Sequence, residues 1–263
     1  MLDLSFVFAG FVVGTIVGLT GVGGGSLMTP LLIFFFGVKP YMAIGTDLLF
    51  AAFTKMGGTL SFARQRIVPW RVVGLLSLGS IPASLVTIGV LRWVGPANAH
   101  VQSVMTSTLG IALLLTAAAM LYKAVRGKQL PRHLSGADEA RATTPRHWSL
   151  PVLLGAAIGT LVTLTSVGAG AIGVSVLLLL YPLLPLPRIV AADIAYAVPL
   201  TLVAGLGHAS LGSVDWPLLA KLLAGSLPGI WLGTRLTQHT PDRLVRSLLS
   251  ALLAWAGLKL VAL

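Results

Sequence analysis

Two apolar stretches of this chain are interrupted by glycines at matching places, and that duplication constrains the fold more than any other feature. The first stretch reads Gly14-Thr-Ile-Val-Gly-Leu-Thr-Gly-Val-Gly-Gly-Gly25 and the second Gly159-Thr-Leu-Val-Thr-Leu-Thr-Ser-Val-Gly-Ala-Gly170, at an offset of 145. Further on, Asp47 matches Asp193, Trp70 matches Trp216, Gly79 matches Gly225 and Pro82 matches Pro228, all at an offset of 146. Paired halves with matched, Gly-interrupted hydrophobic segments point to a secondary-transporter architecture whose binding site lies where the halves meet.

The setting for such segments is a bilayer. Hydrophobic residues make up 56% of the chain and charged residues 10%, with a mean hydropathy of +0.94. A soluble domain carries about 25% charged residues, so the expected class is an all-α polytopic protein of a bacterial cell (inner) membrane. The net charge of +11 does not imply nucleic acid, because most Lys and Arg lie between apolar runs, where they set topology. Zero cysteines exclude disulfides and thiol chemistry. The start, Met-Leu-Asp-Leu-Ser, lacks the basic region of a signal peptide, so the first helix is expected to be retained.

Apolar runs cover about 4–36 (broken at 21–26), 42–63, 68–94, 101–125, 150–186 (broken at 166–173), 189–210, 216–234 and 244–263. Simple counting gives eight spanning segments, four in each half. The domains expected are a first transmembrane repeat at 1–125, a polar cytoplasmic linker at 126–149 and a second repeat at 150–263. Basic residues choose between two topologies. Leaving out Lys55 and Lys221, which lie within runs, if each broken run crosses once the linker side holds ten Lys and Arg and the other side six. If each broken run enters and returns as two half-helices, the linker side holds thirteen, and only Lys39, Arg92 and Lys259 fall opposite. The positive-inside rule favours the second arrangement. It makes the repeats inverted, with re-entrant half-helices in the first segment of each.

The glycine breaks carry the first candidate chemistry. Thr20, Gly21, Gly23, Gly24, Gly25 and Ser26 in one copy, with Thr165, Ser166, Gly168 and Gly170 in the other, offer backbone N–H groups and hydroxyls. A half-helix starting after each break aims its positive dipole end into the gap. That donor set suits a small anion, although glycines also serve close helix packing. Asp47 and Asp193 are the acidic residues that lie inside apolar runs, and ionisable groups at that depth are functional candidates. They read either as proton-coupling groups or as helix caps following Pro40 and Pro187. Lys55, eight residues after Asp47 on the same expected helix face, attracts an anion or snorkels to the cytoplasmic surface. His208 is a group able to titrate near neutrality. Trp70 and Trp216 read as interfacial anchors, and Pro82 and Pro228 as matched kinks.

The run Gly18-Leu-Thr-Gly-Val-Gly-Gly-Gly-Ser-Leu-Met-Thr-Pro-Leu-Leu32, with Gly37-Val-Lys-Pro40, Ala43-Ile-Gly-Thr-Asp47 and Gly57-Gly-Thr, resembles the TauE/SafE family, also called the sulfite exporter family. The likeness extends weakly from Gly168-Ala-Gly170 to Gly225-Ser-Leu-Pro-Gly229. The resemblance implies an exporter of sulfite, organosulfonates or related sulfur anions. Ser166 and Ala169 stand where the first copy has Gly21 and Gly24, so the second half-site differs.

The expected function is therefore secondary export of a small anion by alternating access, with proton coupling through Asp47 or Asp193 left open. An anion channel or a non-transporting scaffold is the alternative. An intramembrane serine protease using Ser26 and His208 lacks a distinctive nucleophile setting, so an enzyme is not expected. No cofactor is expected, and the five histidines do not cluster at metal-ligand spacing. The partners expected are an anionic substrate and the lipid bilayer, without nucleic acid.

Overall fold

A computed structural model describes residues 2–20, 25–126, 143, 148–236 and 242–262. Among these, every regular element is helical: α1 (Leu2–Thr20), α2 (Gly25–Phe36), α3 (Pro40–Arg64), α4 (Trp70–Val94), α5 (Ala99–Arg126), α6 (Ser149–Thr165), α7 (Ala171–Leu180), α8 (Leu186–Ser210), α9 (Trp216–Leu236) and α10 (Asp242–Val261). The eight apolar runs give these ten helices because each broken run divides in two, as α1/α2 and α6/α7. Trp70–Val94, Ala99–Leu121 and Leu186–Ser210 are each long and apolar enough to cross a membrane alone. Local chemistry sets several boundaries. Pro40 begins α3, where its missing N–H costs nothing. Gly95 closes α4 at φ 89°, its N–H donating to the Leu91 carbonyl.

The exterior is apolar. Leu4, Phe8, Val86, Trp93, Leu153 and Leu179 all stand exposed, while Thr46, Asp47, Lys55, Ser84, Thr163, Asp193 and His208 are buried. That inverts the arrangement of a soluble protein and fits a chain solvated by lipid. Trp70 and Trp216 are exposed at the starts of α4 and α9, where indole rings sit at the headgroup level. Pro82 and Pro228 lie inside α4 and α9, which continue through them.

Two helix pairs approach so closely that only glycine fits. Cβ atoms on Gly10, Gly14 and Gly18 of α1 would land on the Leu222, Ser226 and Ile230 carbonyl oxygens of α9. Cβ atoms on Gly225, Gly229 and Gly233 would land on those of Val7, Phe11 and Thr15. Both series advance together by one helical turn, so α1 and α9 run parallel. The same contacts recur between α6 and α4: Gly155 on Leu76, Gly159 on Ser80 and Gly79 on Val152. Small residues that admit a facing backbone are the usual basis of helix association where lipid removes the hydrophobic drive.

Two other pairs run antiparallel. Gly45 of α3 lies against His208 and Ser213, Gly205 of α8 against Leu49, and the Thr59 hydroxyl donates to the Ile194 carbonyl at 3.4 Å. On α5 and α10, Gly110 meets Gly257 and Val261, and Gly257 meets Leu114. Two apolar clusters fill the interior. One joins α4, α6, α7 and α8 with Ile44 and Leu48 of α3, and the other joins α1, α2, α5, α9 and α10 with Leu49 and Phe50 of α3. Helix α3 therefore has one side in each cluster.

Gly79→Ala forces its Cβ onto the α6 backbone and is expected to lower stability by about 1–3 kcal/mol. Gly74→Ala, on the same helix with nothing within 4 Å of the new methyl, is expected to be neutral or stabilising. Thermal unfolding of the two purified variants in detergent checks this.

Candidate functional site

The second break is a compact, hydrogen-bonded turn. Helix α6 ends at Thr165, and Ser166 takes a left-handed conformation (φ 60°), its N–H donating to the Val162 carbonyl at 2.7 Å. The Thr165 hydroxyl donates to the Leu161 carbonyl at 2.6 Å and accepts the Val167 N–H at 3.1 Å. It ties the turn to the helix behind it. Gly168 (φ 135°) and Gly170 (φ 137°) hold a backbone that side chains with a Cβ rarely adopt. Helix α7 then starts, with the Gly173 N–H on the Gly168 carbonyl at 2.9 Å and the Val174 N–H on the Gly170 carbonyl at 2.9 Å. In the first copy, Gly21, Gly23 and Gly24 lie outside the described residues. Helix α1 ends at Thr20 and α2 begins at Gly25, with Ser26, half-buried, as its second residue.

Each buried carboxylate sits against the short helix that follows its own copy's break. Asp47 is fully buried on α3, and Thr29 of α2 donates its hydroxyl to Oδ2. The Ser166 side chain of the second break lies beside the same carboxylate. Neither Asp47 Oδ1 nor Ser166 Oγ has a hydrogen-bond partner among the described residues. Asp193 of α8 presses so closely on α7 that a Cβ on Gly173 would fall on its Oδ1. Both aspartates thus set a carboxyl group against the first half of α2 and of α7, where helix dipoles favour an acidic group. Their own helices start without them: Lys39 precedes α3 and Pro185 precedes α8, neither with a side-chain cap.

Lys55 joins the two copies. Only 6% exposed, it reaches from α3 into the second break and donates from Nζ to the Ala169 carbonyl at 3.0 Å. Both Asp47 and Asp193 lie close enough to act on its charge. It turns into the protein interior and does not extend to the surface. Thr201, at the matching position of α8, gives its hydroxyl to the Ala197 carbonyl of its own helix at 2.8 Å.

His208 is buried beside α6. Its Nε2 lies 2.9 Å from the Thr163 carbonyl, which only accepts, so Nε2 carries the proton. Nδ1 has no partner among the described residues. The Thr163 hydroxyl continues the chain to Ser84 Oγ at 2.8 Å. Nearby, Thr46 accepts the Asp215 N–H at 3.0 Å, and Asp215 Oδ1 accepts the Leu218 N–H at 2.9 Å. Asp215 thereby caps α9.

The structure brings Asp47, Lys55, Ser166, Asp193 and the 168–170 turn together, and it sets His208 of α8 against the Thr163 carbonyl of α6, just before that turn. Two contributors escaped sequence reasoning. Thr29 looked like part of an apolar run, and its hydroxyl directly ahead of Pro30 was the available signal. Gly173 carried no signal of its own, yet it is what admits the Asp193 carboxylate. Among the described residues no group of three His, Cys, Asp or Glu is placed to hold a metal.

An all-helical chain with an apolar exterior and a buried cluster of charge at two helix breaks belongs to the class of integral membrane transport proteins. Residues 6–260 match the family described as Sulfite exporter TauE/SafE, and the chain belongs to that family. It is 35% identical over 263 residues to the probable membrane transporter protein YjnA of Bacillus subtilis (strain 168), covering 99% of this chain and 100% of that one. It is 27% identical to the probable membrane transporter protein YunE of the same organism, covering 97% and 96% of the two chains. YdhB, a third probable membrane transporter protein of that organism, is 26% identical, covering 95% and 97%. No solved structure matches.

Thr29→Val removes the hydroxyl that Asp47 accepts and is expected to cost about 1–3 kcal/mol, as for any buried polar group left unpaired. Thr29→Ser keeps the donor and is expected to retain most of that stability. Paired unfolding curves in detergent check both.

Proposed function

We propose that this protein is a secondary transporter that exports a small anion, sulfite or a related sulfur oxyanion or organosulfonate, by alternating access. The observation that carries this reading is the closed cluster at the centre of the fold. Two short helices begin beside buried carboxylates, and a buried ammonium and an unpartnered serine hydroxyl stand next to them. Helix N-termini, hydroxyls and an ammonium are donors suited to an oxyanion. Asp47, Lys55, Ser166 and Asp193 are all buried, which fits a closed state between outward and inward openings. A continuously open channel does not bury its lining in this way. The partners of this reading are the anion and the bilayer, with neither nucleic acid nor catalysis.

The inverted-repeat reading draws support from helix direction. Sequence mates α3 and α8, and likewise α5 and α10, run antiparallel, as an axis in the membrane plane requires. Because α1 runs with α9 and α6 with α4, each broken run heads into the protein and its second helix returns to the starting face. That favours re-entrant half-helices over single crossings.

Coupling follows from competition for the same donors. A carboxylate already occupies the region at the start of each short helix, so an incoming anion meets repulsion until a proton neutralises one of them. Anion and proton then cross together. Saturable sulfite flux into proteoliposomes is expected to respond to a pH gradient, and Asp47→Asn is expected to abolish that response. Flux that ignores the gradient in wild type would leave Asp47 a structural group. Absence of any sulfite flux would remove this substrate.

The topology has its own test. The chain has no cysteine, so single cysteines report without background. Leu2→Cys and Leu263→Cys are expected to react with an impermeant maleimide in intact cells, and Thr143→Cys only after permeabilisation. Labelling of either terminus only after permeabilisation contradicts the inverted arrangement.

A further inference from the structure

Lys55 is the charge for which anion recognition alone gives an incomplete account. In this closed state its ammonium holds a backbone oxygen of the broken helix, Ala169 O at 3.0 Å, with the Asp47 and Asp193 carboxylates near enough to act on its charge. Carboxylate and free carbonyl oxygens at a helix break are what a hard monovalent cation takes at membrane depth. A helical lysine leans back toward the N-terminus of its helix, which here is toward Asp47, eight residues earlier. The contact spans the two copies, since Lys55 belongs to α3 and Ala169 to the turn between α6 and α7. Without the lysine, two buried carboxylates would lose the ammonium that acts on both of them, a costly loss in a low dielectric. Thr201, the matching residue, is turned to its own helix backbone, so the arrangement is one-sided.

We propose that the Lys55 ammonium fills a monovalent-cation site formed by the Ala169 carbonyl and the Asp47 and Asp193 carboxylates. The protein thus carries on its own chain the positive charge that a dissolved alkali ion would otherwise supply. Transport by the wild type then needs no sodium or potassium, and removing the side chain opens a site for a small cation. The flux consequence rests on the transporter reading, whereas the binding consequence does not.

The test uses Lys55→Ala and Lys55→Met, purified and compared with wild type by melting temperature in sodium, potassium, ammonium or N-methylglucamine chloride at equal ionic strength. The wild type is expected to melt at the same temperature in all four. The variants are expected to melt lower in N-methylglucamine and to recover saturably with sodium or ammonium. In proteoliposomes, variant flux in N-methylglucamine is expected to fall by about ten-fold or more, as removing one member of a buried charge cluster strands the others. It is expected to rise again in sodium or ammonium. A variant that folds only when such a cation is present is the same positive result in stronger form. The proposal is overturned if wild type itself requires sodium, if folded variants melt identically in all four salts, or if the variants fold in none of them. Absence of anion flux in wild type, with the melting pattern intact, would remove the transporter reading and leave the cation site standing.

Discussion

A helix interrupted inside hydrocarbon leaves backbone N–H and C=O groups that no lipid can satisfy, and much of this fold answers that constraint. Around the second break the answer is local and complete in kind. The Thr165 hydroxyl and the Ser166 N–H tie the turn to α6, and the Gly168 and Gly170 carbonyls accept from the first turn of α7. What remains is met by charged side chains from other helices. The start of α7 faces Asp193, and the Ala169 carbonyl faces Lys55. The polar interior is thus a consequence of the break, and a polar interior at membrane depth is where recognition of an ion becomes feasible.

Helix packing serves the same end. With lipid on the outside, helices gain little by hiding leucine from solvent, so close backbone approach has to hold them. The glycines of α1, α4, α6 and α9 provide it, leaving α3 and α8 to carry the chemically distinctive residues between the two apolar clusters. The assignment of residues to helices follows this division. Asp47, Lys55, Asp193 and His208 all sit on α3 or α8, while α1, α4, α6 and α9 present mainly small residues to each other.

Much of this was legible before any coordinates. Long apolar runs, their glycine interruptions and the residues flanking them are set by hydrocarbon thickness and by backbone geometry, both of which act on adjacent residues. The helical class, the membrane setting and the division of each broken run into two helices follow from that. Asp47, Lys55 and Asp193 stood out because charge within an apolar run is costly wherever the run packs. The partners of those charges did not stand out. Thr29 and Ala169 lie 18 and 114 residues from the groups they meet, and a threonine or alanine inside an apolar helix has no local signature. The competing fates of Lys55, inward or toward the surface, depend on which helix faces α3, and only tertiary packing decides that.

The glycine-packed pairs have an evolutionary and practical corollary. Helix α1 is locked to α9 and α6 to α4, so each tight pair takes one member from either side of the linker. The two halves are interlaced, and neither half-length chain contains a complete packed unit. A fragment ending near residue 126 would leave the glycine faces of α1 and α4 bare until a second polypeptide supplied their complements. If the duplication arose from a half-length ancestor, that ancestor needed a second copy of itself to complete each glycine-packed pair. Joining two copies in one chain frees each to diverge, as the lysine found in one copy and the threonine found in the other already show.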